Sequence, residues 1–220
     1  ERVLWMMVAA IQQKYENHQC IIYSGDTNTT DAEILQKVRD RFGIHLNEEL
    51  ITFCFLSTRG WLEANKYPYF TMAGQSLGSI IVALEALALC TPHIFIDSMG
   101  YSYSLWVARI LGKCKVAAYV HYPTISSDML VRVQSGTKAY NNRGLIARIP
   151  FFRYGKIFYY RLFAFVYGIA GRACSLVFVN STWTRNHIDA IWKIPKITKI
   201  LYPPCNTSHL SALPLGERDG

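Results

Sequence analysis

The chain has 220 residues, of which 51% are apolar and 17% charged, so it can bury a sizeable core and is too apolar for a disordered segment. Its net charge of +8 is uneven: residues 1–112 hold 8 Lys/Arg against 11 Asp/Glu, and residues 113–203 hold 14 against 2. A half that basic implies an anionic partner (membrane surface, phosphate-bearing substrate or nucleic acid), while no apolar run reaches the about 18 residues expected of a spanning helix.

Leu4, Met7, Val8 and Ile11 repeat at helical spacing, so residues 1–15 read as a helix. Gln19–Tyr23 is a short apolar strand ended by Ser-Gly-Asp, and Asp31 is the expected cap of a helix reaching Phe42. Ile51–Leu56 reads as a strand, Tyr69–Met72 as a short β-prone run, and Ala73–Leu89 as a long apolar helix stopped by Thr91-Pro92. Ile94–Ile96 (strand), Ser102–Leu111 (helix) and Val116–Val120 (strand) follow. Phe151–Ala173 is mainly helix, Leu176–Val179 a strand, Thr182–Trp192 a helix capped by Ser181, and Ile197–Leu201 a last strand before Pro203-Pro204.

Short apolar strands alternating with helices predict an α/β, Rossmann-like fold: a mostly parallel sheet with helices on both faces. Ligands of such sheets bind beyond the carboxyl ends of the strands. That rule singles out Ser24–Asp26, Ser57–Arg59, Asp97–Gly100, His121–Tyr122 and Asn180–Thr182. The six cysteines are scattered without a C-x-x-C pair. They therefore read as reduced, with the domain facing the cytosol, and no metal-ligand set emerges. No nucleic-acid motif is present, and the aromatics fall at helical spacing, so nucleic acid is not an expected partner.

Gly74-Gln75-Ser76-Leu77-Gly78 matches the G-x-S-x-G turn that exposes a serine nucleophile, with Asp97 or Asp128 and His121 or His187 as formal partners. The plainer alternative is a small-residue turn that lets a helix start close to the sheet. His121, at a strand end beside Tyr122-Pro123, can hydrogen-bond a substrate or transfer a proton, or serve as a structural polar residue. Asp97 can orient a sugar hydroxyl or cap the next helix. On the helix 151–173, Phe158, Leu162, Phe165, Val166 and Ile169 share one face, with Arg153, Lys156, Arg161 and Arg172 on another. Such a helix suits a membrane interface, or else packs on the sheet with a solvated cationic side. Arg143, Arg148 and Arg153 could instead grip a diphosphate, and Trp61, Lys66, Tyr67, Tyr69 and Phe70 could also meet lipid.

Five stretches carry a family resemblance. They are Glu1–Trp5, Phe70–Ser79 (FTMAGQSLGS), Ile96–Tyr101 (IDSMGY), Tyr119–Thr124 (YVHYPT) and Val179–Thr184 (VNSTWT). Together they resemble the GDP-mannose-dependent α-1,2-mannosyltransferases of dolichol-linked oligosaccharide assembly, the asparagine-linked glycosylation protein 11 family. The resemblance implies the amino-terminal, acceptor-side lobe of a two-lobed GT-B enzyme related to glycosyltransferase family 4. Residues 1–203 would form that lobe without its first strand and glycine-rich loop, and 204–220 would begin the interlobe segment. It further implies a retaining enzyme on the cytosolic face of the endoplasmic reticulum that adds the fourth and fifth mannoses to a dolichol-diphosphate glycan.

By the same resemblance Gly74, Ser76, His121, Asn180 and Ser181 would line the cleft, and His121 is the residue expected to take the catalytic or acceptor-side role. Asp97 and Ser98 would orient hydroxyls, while Arg143, Arg148, Arg153, Lys156 and Arg161 would meet lipid phosphate or the acceptor diphosphate. The implied partners are the lipid-linked acceptor, the membrane surface, a carboxy-terminal nucleotide-sugar lobe and other mannosyltransferases of the pathway. GDP-mannose would be the donor, with no cofactor in this domain and the metal requirement left open. The E-x7-E pattern of the second lobe is absent, since no two glutamates stand eight apart, so this chain alone is expected to be inactive. A serine hydrolase using Ser76 and a non-catalytic membrane-binding module are the rival readings.

Overall fold

The computed structural model describes residues 1–135, 150–205 and 207. Among the described residues, six strands form two wholly parallel sheets. In the first, β1 (Cys20–Ser24) pairs with β2 (Ile51–Phe55), from Cys20 opposite Ile51 to Ser24 opposite Phe55. The second runs in the order β3 (Ile94–Asp97), β4 (Lys115–Val120), β5 (Leu176–Val179) and β6 (Thr198–Ile200). The helices are α1 (Arg2–Lys14), α2 (Asp31–Phe42), α3 (Thr71–Leu89), α4 (Ser102–Ile110), α5 (Ser127–Ser135), α6 (Pro150–Gly171) and α7 (Thr182–Trp192).

Period-two alternation places the cores. Val116, Ala118 and Val120 of β4 and Val177 and Val179 of β5 point to one face. There they meet Leu105 and Ala108 of α4, Phe163 and Tyr167 of α6, and Ile188 and Trp192 of α7. Cys20 and Ile22 of β1 pack against Trp5 and Val8 of α1 and Val38 of α2, which makes a second core. Tyr23, on the opposite face of β1, turns towards the first: its hydroxyl donates to the Cys90 carbonyl and its ring lies 6.1 Å from Phe95. Helices thus cover both sides of the sheet system, as the alternation of elements predicts.

Several local expectations are revised. Thr30, not Asp31, caps α2, because its side chain can close a capping box: its Oγ1 accepts from Glu33 N (3.3 Å) and its own N–H donates to Glu33 Oε2 (3.2 Å). Tyr69–Met72 forms no strand; α3 begins at Thr71, after Phe70 in a left-handed conformation (φ 53°). Two 3-10 turns, Ser57–Leu62 and Ala64–Lys66, and the helix α5 carried no clear periodic signal. Among the described residues, α3 has the length and composition to cross a membrane, contrary to the expectation from sequence. It nevertheless packs on α4 and on the turn Ser57–Leu62 as part of the helical layer.

On α6 the buried face is Phe163, Ala164, Tyr167 and Ala170, while Phe158, Leu162 and Phe165 are exposed. Of the stripe read from sequence, Phe158, Leu162 and Phe165 therefore lie outside the core, whereas Val166 packs against it and Ile169 is half-buried. Periodicity identifies two apolar faces on this helix without saying which one the sheet takes.

Candidate functional site

The loops that follow β1, β2 and β3 open onto one cavity of about 920 Å³, walled by Trp5, Ile22, Phe53 and Phe95 and rimmed by polar groups. Ser24, Asp26, Arg59, Asp97, Ser98 and Tyr101 supply the polar rim. Of the loops that the strand-end rule singles out, those after β1, β2 and β3 line this crevice, whereas His121, Tyr122, Asn180 and Ser181 do not, nor do Gly74 and Ser76.

Arg59 is held by an arrangement that the sequence only hinted at. Glu85, the single charged residue of α3, accepts from Ser57 N (2.9 Å), Ser57 Oγ (2.5 Å), Thr58 N (3.0 Å) and Thr58 Oγ1. Burial alone would raise the Glu85 carboxyl, but these four donors hold it down at about 2. The turn they fix brings Arg59 Nη1 to 3.9 Å from Asp26 Oδ1. Because the folded pKa lies below the ordinary 4.5, the stabilisation is complete above that value and lost as pH falls towards 2. Glu85→Ala is expected to cost about 1–3 kcal/mol in urea denaturation at neutral pH and to flatten that acid limb. Unchanged stability would show that the turn holds itself.

Asp97 ends β3 with both carboxylate oxygens occupied. Oδ1 accepts from Met99 N (3.0 Å) and Oδ2 from Gly100 N (3.1 Å), and these bonds fix a turn in which Gly100 adopts φ 89°. Burial pushes the carboxyl up to about 6, opposed by the amides of Met99, Gly100 and Tyr101. These bonds shape the turn ahead of α4 and are not the helix cap read from sequence, since the cap position is Tyr101 and carries no side-chain bond. Ser98, half-buried, faces the cavity beside it.

His121 stands exposed at the carboxyl end of β4, its ring 4.7 Å from that of Tyr119. Partial desolvation lowers its pKa below 6.5. Asn180 and Ser181 end β5 and close the start of α7. Ser181 Oγ accepts from Thr184 N (3.2 Å), as expected of its cap, and Asn180 Oδ1 accepts from Thr184 Oγ1 (2.6 Å).

Ser76 is not on a strand-to-helix turn. It lies inside α3, half-buried, with Oγ donating to the Met72 carbonyl at 2.7 Å. A nucleophile elbow needs a strand ahead of the serine, and none forms. Gly74 and Gly78 instead make a small-residue face on which the preceding loop closes. A Cβ at Gly74 would meet the Tyr67 ring at 2.2 Å, and one at Gly78 the Trp61 carbonyl oxygen at 2.0 Å.

Asp128 and His187, read from sequence only as formal partners of Ser76, meet instead in a cluster with Ser127 that joins α5 to α7. His187 is buried, with Nδ1 2.6 Å from Ser127 Oγ and Nε2 3.4 Å from Asp128 Oδ2. Trp183 packs against its ring at 4.1 Å and Tyr122 stacks on Trp183 at 5.2 Å, so the cluster braces the loop after His121. Lys156 and Arg161 lie on α6, with Arg161 exposed. Arg143 and Arg148 fall outside the described residues, as does the side chain of Arg153. Among the described residues no three His, Cys, Asp or Glu side chains are grouped as a metal site requires.

Residues 1–192 match the protein family described as ALG11 mannosyltransferase N-terminus. Proteins named GDP-Man:Man(3)GlcNAc(2)-PP-Dol alpha-1,2-mannosyltransferase are similar along nearly the whole chain. The Homo sapiens protein is 45% identical over 218 residues, covering 99% of this chain and 44% of the human one. The Caenorhabditis elegans protein is 47% identical over 206 residues, covering 94% and 43% respectively. For Dictyostelium discoideum the figures are 44% over 222 residues, 100% and 44%. The chain therefore spans less than half the length of these relatives. No solved structure matches it.

Proposed function

Since this chain belongs to the ALG11 mannosyltransferase amino-terminal family, we propose that it is the acceptor-side lobe of an α-1,2-mannosyltransferase. The whole enzyme transfers mannose from GDP-mannose to a dolichol-diphosphate-linked oligosaccharide, at the cytosolic face of the endoplasmic reticulum membrane. The observation that carries this reading is the family match, supported by relatives about as similar over almost every residue. The hydrolase alternative has no support, because Ser76 sits within a helix and donates to its own backbone.

In this reading the residues beyond the strands receive the acceptor sugar. His121 presents an imidazole whose lowered pKa keeps it neutral at pH 7, able both to accept from and to donate to a sugar hydroxyl. The Ser98 hydroxyl faces the cavity and orients a second hydroxyl, on a turn that Asp97 holds in shape. Asn180 and Ser181 fix the start of α7 beside them. Arg143, Arg148 and Arg153 meet the acceptor diphosphate. The reaction is tested with the full-length protein, GDP-[14C]mannose and a dolichol-type diphosphate trimannosyl acceptor in detergent. Two incorporated mannoses sensitive to α-1,2-mannosidase are expected; no incorporation by folded protein overturns the assignment.

The lobe also rests on the membrane. Phe158 (68% exposed) on α6 and Phe70 (68%) at the head of α3 present their rings to the outside, with Tyr69, Tyr154 and Phe165 exposed as well. The two helices are joined there: Phe70 packs edge-on to Tyr159 at 5.3 Å, and Ala73 N donates to Tyr159 Oη at 3.3 Å. Lys66, 5.1 Å over the Trp61 ring, and Arg161 add cations suited to lipid phosphates. Burying one phenylalanine side chain contributes about 1.5–3 kcal/mol. The double change Phe158→Asp and Phe165→Asp is therefore expected to weaken binding to phosphatidylcholine/phosphatidylinositol vesicles at least tenfold in a flotation assay. Undiminished binding places the membrane contact elsewhere.

A further inference from the structure

β4 and β5 end side by side. Val120 stands opposite Val179 in the ladder, so the next residues, His121 and Asn180, are neighbours, and Asn180 N donates to the Val120 carbonyl (3.4 Å). Each is followed by an aromatic ring, Tyr122 directly after His121 and Trp183 at the start of α7. The two rings stack at 5.2 Å with 28° between their planes. Both stay open to the outside, Tyr122 by 62% and Trp183 by 42%. None of these four residues lines the cavity at the ends of β1, β2 and β3.

We propose that Tyr122, backed by Trp183, is a stacking platform for one hexopyranose ring of the acceptor glycan. This role rests on the transferase reading and adds to it the surface that grips the sugar. A pyranose has an apolar face of C–H bonds and a rim of hydroxyls. The electron-rich face of an aromatic ring attracts the first, and neutral donors and acceptors satisfy the second. Trp183 covers one face of Tyr122 and leaves the other to a ligand. Asn180 Oδ1 is taken by Thr184 Oγ1 (2.6 Å) and Ser181 Oγ (3.2 Å), whereas its amide nitrogen has no partner among the described residues. A free donor therefore stands beside the His121 imidazole, next to the stacked rings.

Fixed surroundings set this pair apart from an ordinary exposed patch. Trp183 lies against the buried His187 ring at 4.1 Å, and His187 is held in turn by Ser127 (2.6 Å) and Asp128 (3.4 Å). Pro123, whose side chain is fully buried, restricts the Tyr122 backbone to extended conformations. Thr124 N donates to Tyr167 Oη (3.3 Å) on α6 and pins the same loop from its far side. A ring already fixed loses little freedom when a sugar stacks on it. The neighbours also differ from those of a lipid contact. Phe70, Phe158 and Phe165 are wholly apolar, whereas Tyr122 and Trp183 each carry a polar tip and stand among the uncharged Asn180, Ser181 and Thr182.

The full-length protein in detergent is titrated with a dolichol-type diphosphate trimannosyl acceptor at saturating GDP-mannose. Tyr122→Ala is expected to raise the acceptor KM about tenfold or more, with the KM for GDP-mannose within about twofold. Tyr122→Phe, which restores the ring, is expected to bring most of that affinity back. An acceptor KM in Tyr122→Ala within about threefold of the unaltered enzyme overturns the platform and leaves the transferase reading standing. An equal rise in both KM values marks general damage and overturns it as well. A second measurement needs no turnover: saturation-transfer NMR with the free Man(3)GlcNAc(2) glycan. The unaltered protein is expected to saturate C–H protons of a mannose ring, and Tyr122→Ala to lose that signal. Equal saturation by both proteins, or by neither, overturns the platform. Saturation that depends on Tyr122, without any mannose transfer by the unaltered protein, upholds the platform and counts against the transferase reading alone.

Discussion

Replacing His121 by alanine in the full-length protein is expected to lower the rate of mannose transfer at least about 100-fold, with little change in thermal stability. General acid–base and hydroxyl-orienting groups contribute about 10²–10⁴ in rate. The stability side follows from the surroundings of His121. Its ring is exposed and touches the Tyr119 ring, and among the described residues it takes no hydrogen bond, so removing it opens no cavity and orphans no donor. The pH dependence is a second readout. Desolvation lowers the imidazole pKa below 6.5, and the proposed role uses its neutral form. The rate should therefore hold through neutrality and fall only on the acid side of 6.5, and His121→Gln should flatten that fall while keeping some hydrogen bonding. Transfer within threefold of the unaltered enzyme would make His121 a bystander at the strand end.

Gly78→Val is expected to destabilise the protein by about 3 kcal/mol or more, whereas Ser76→Ala two residues away changes stability by about 1 kcal/mol or less. The contrast inverts what G-x-S-x-G suggests when read as a catalytic motif. A Cβ on Gly78 would stand 2.0 Å from the Trp61 carbonyl oxygen and 2.8 Å from its carbonyl carbon, and backbone atoms cannot rotate aside. The loop must lift off α3, taking with it the Ser57–Thr58 grip on Glu85 and the Arg59 that this grip positions. Ser76 loses a bond to the Met72 carbonyl of its own helix and a side-chain contact with the Tyr103 hydroxyl, neither of which holds the loop. Urea midpoints of the two variants measure the difference. Equal midpoints would show that the loop accommodates the side chain, and loss of transfer in a stable Ser76→Ala protein would put that hydroxyl on the acceptor.

The two variants also mark where local reasoning stops. Whether Tyr69–Met72 becomes a strand depends on a partner strand, and none is there; Thr71 instead starts a helix that runs on through Ser76. The Glu85 carboxylate reaches Ser57 and Thr58, 28 and 27 residues earlier, and His187 reaches Ser127 across 60. No periodicity encodes such pairings, although a single carboxylate in an otherwise uncharged helix was a visible anomaly.

The sequence by itself determined the alternating α/β order, all six strands of the described residues to within a residue at each end, the Ser181 cap and the three strand-end loops that open onto the cavity. These follow from short-range rules: apolar period, turn residues and capping chemistry act within a few positions. Only the tertiary structure decided which face of α6 meets the sheet, that Asp97 is consumed by its own turn, and that Gly74 and Gly78 are contact surfaces. It alone showed that the parallel sheet is divided by an apolar slot. Those features depend on which distant segments compete for the same surface, and that competition is settled by packing and hydrogen-bond satisfaction across the whole domain.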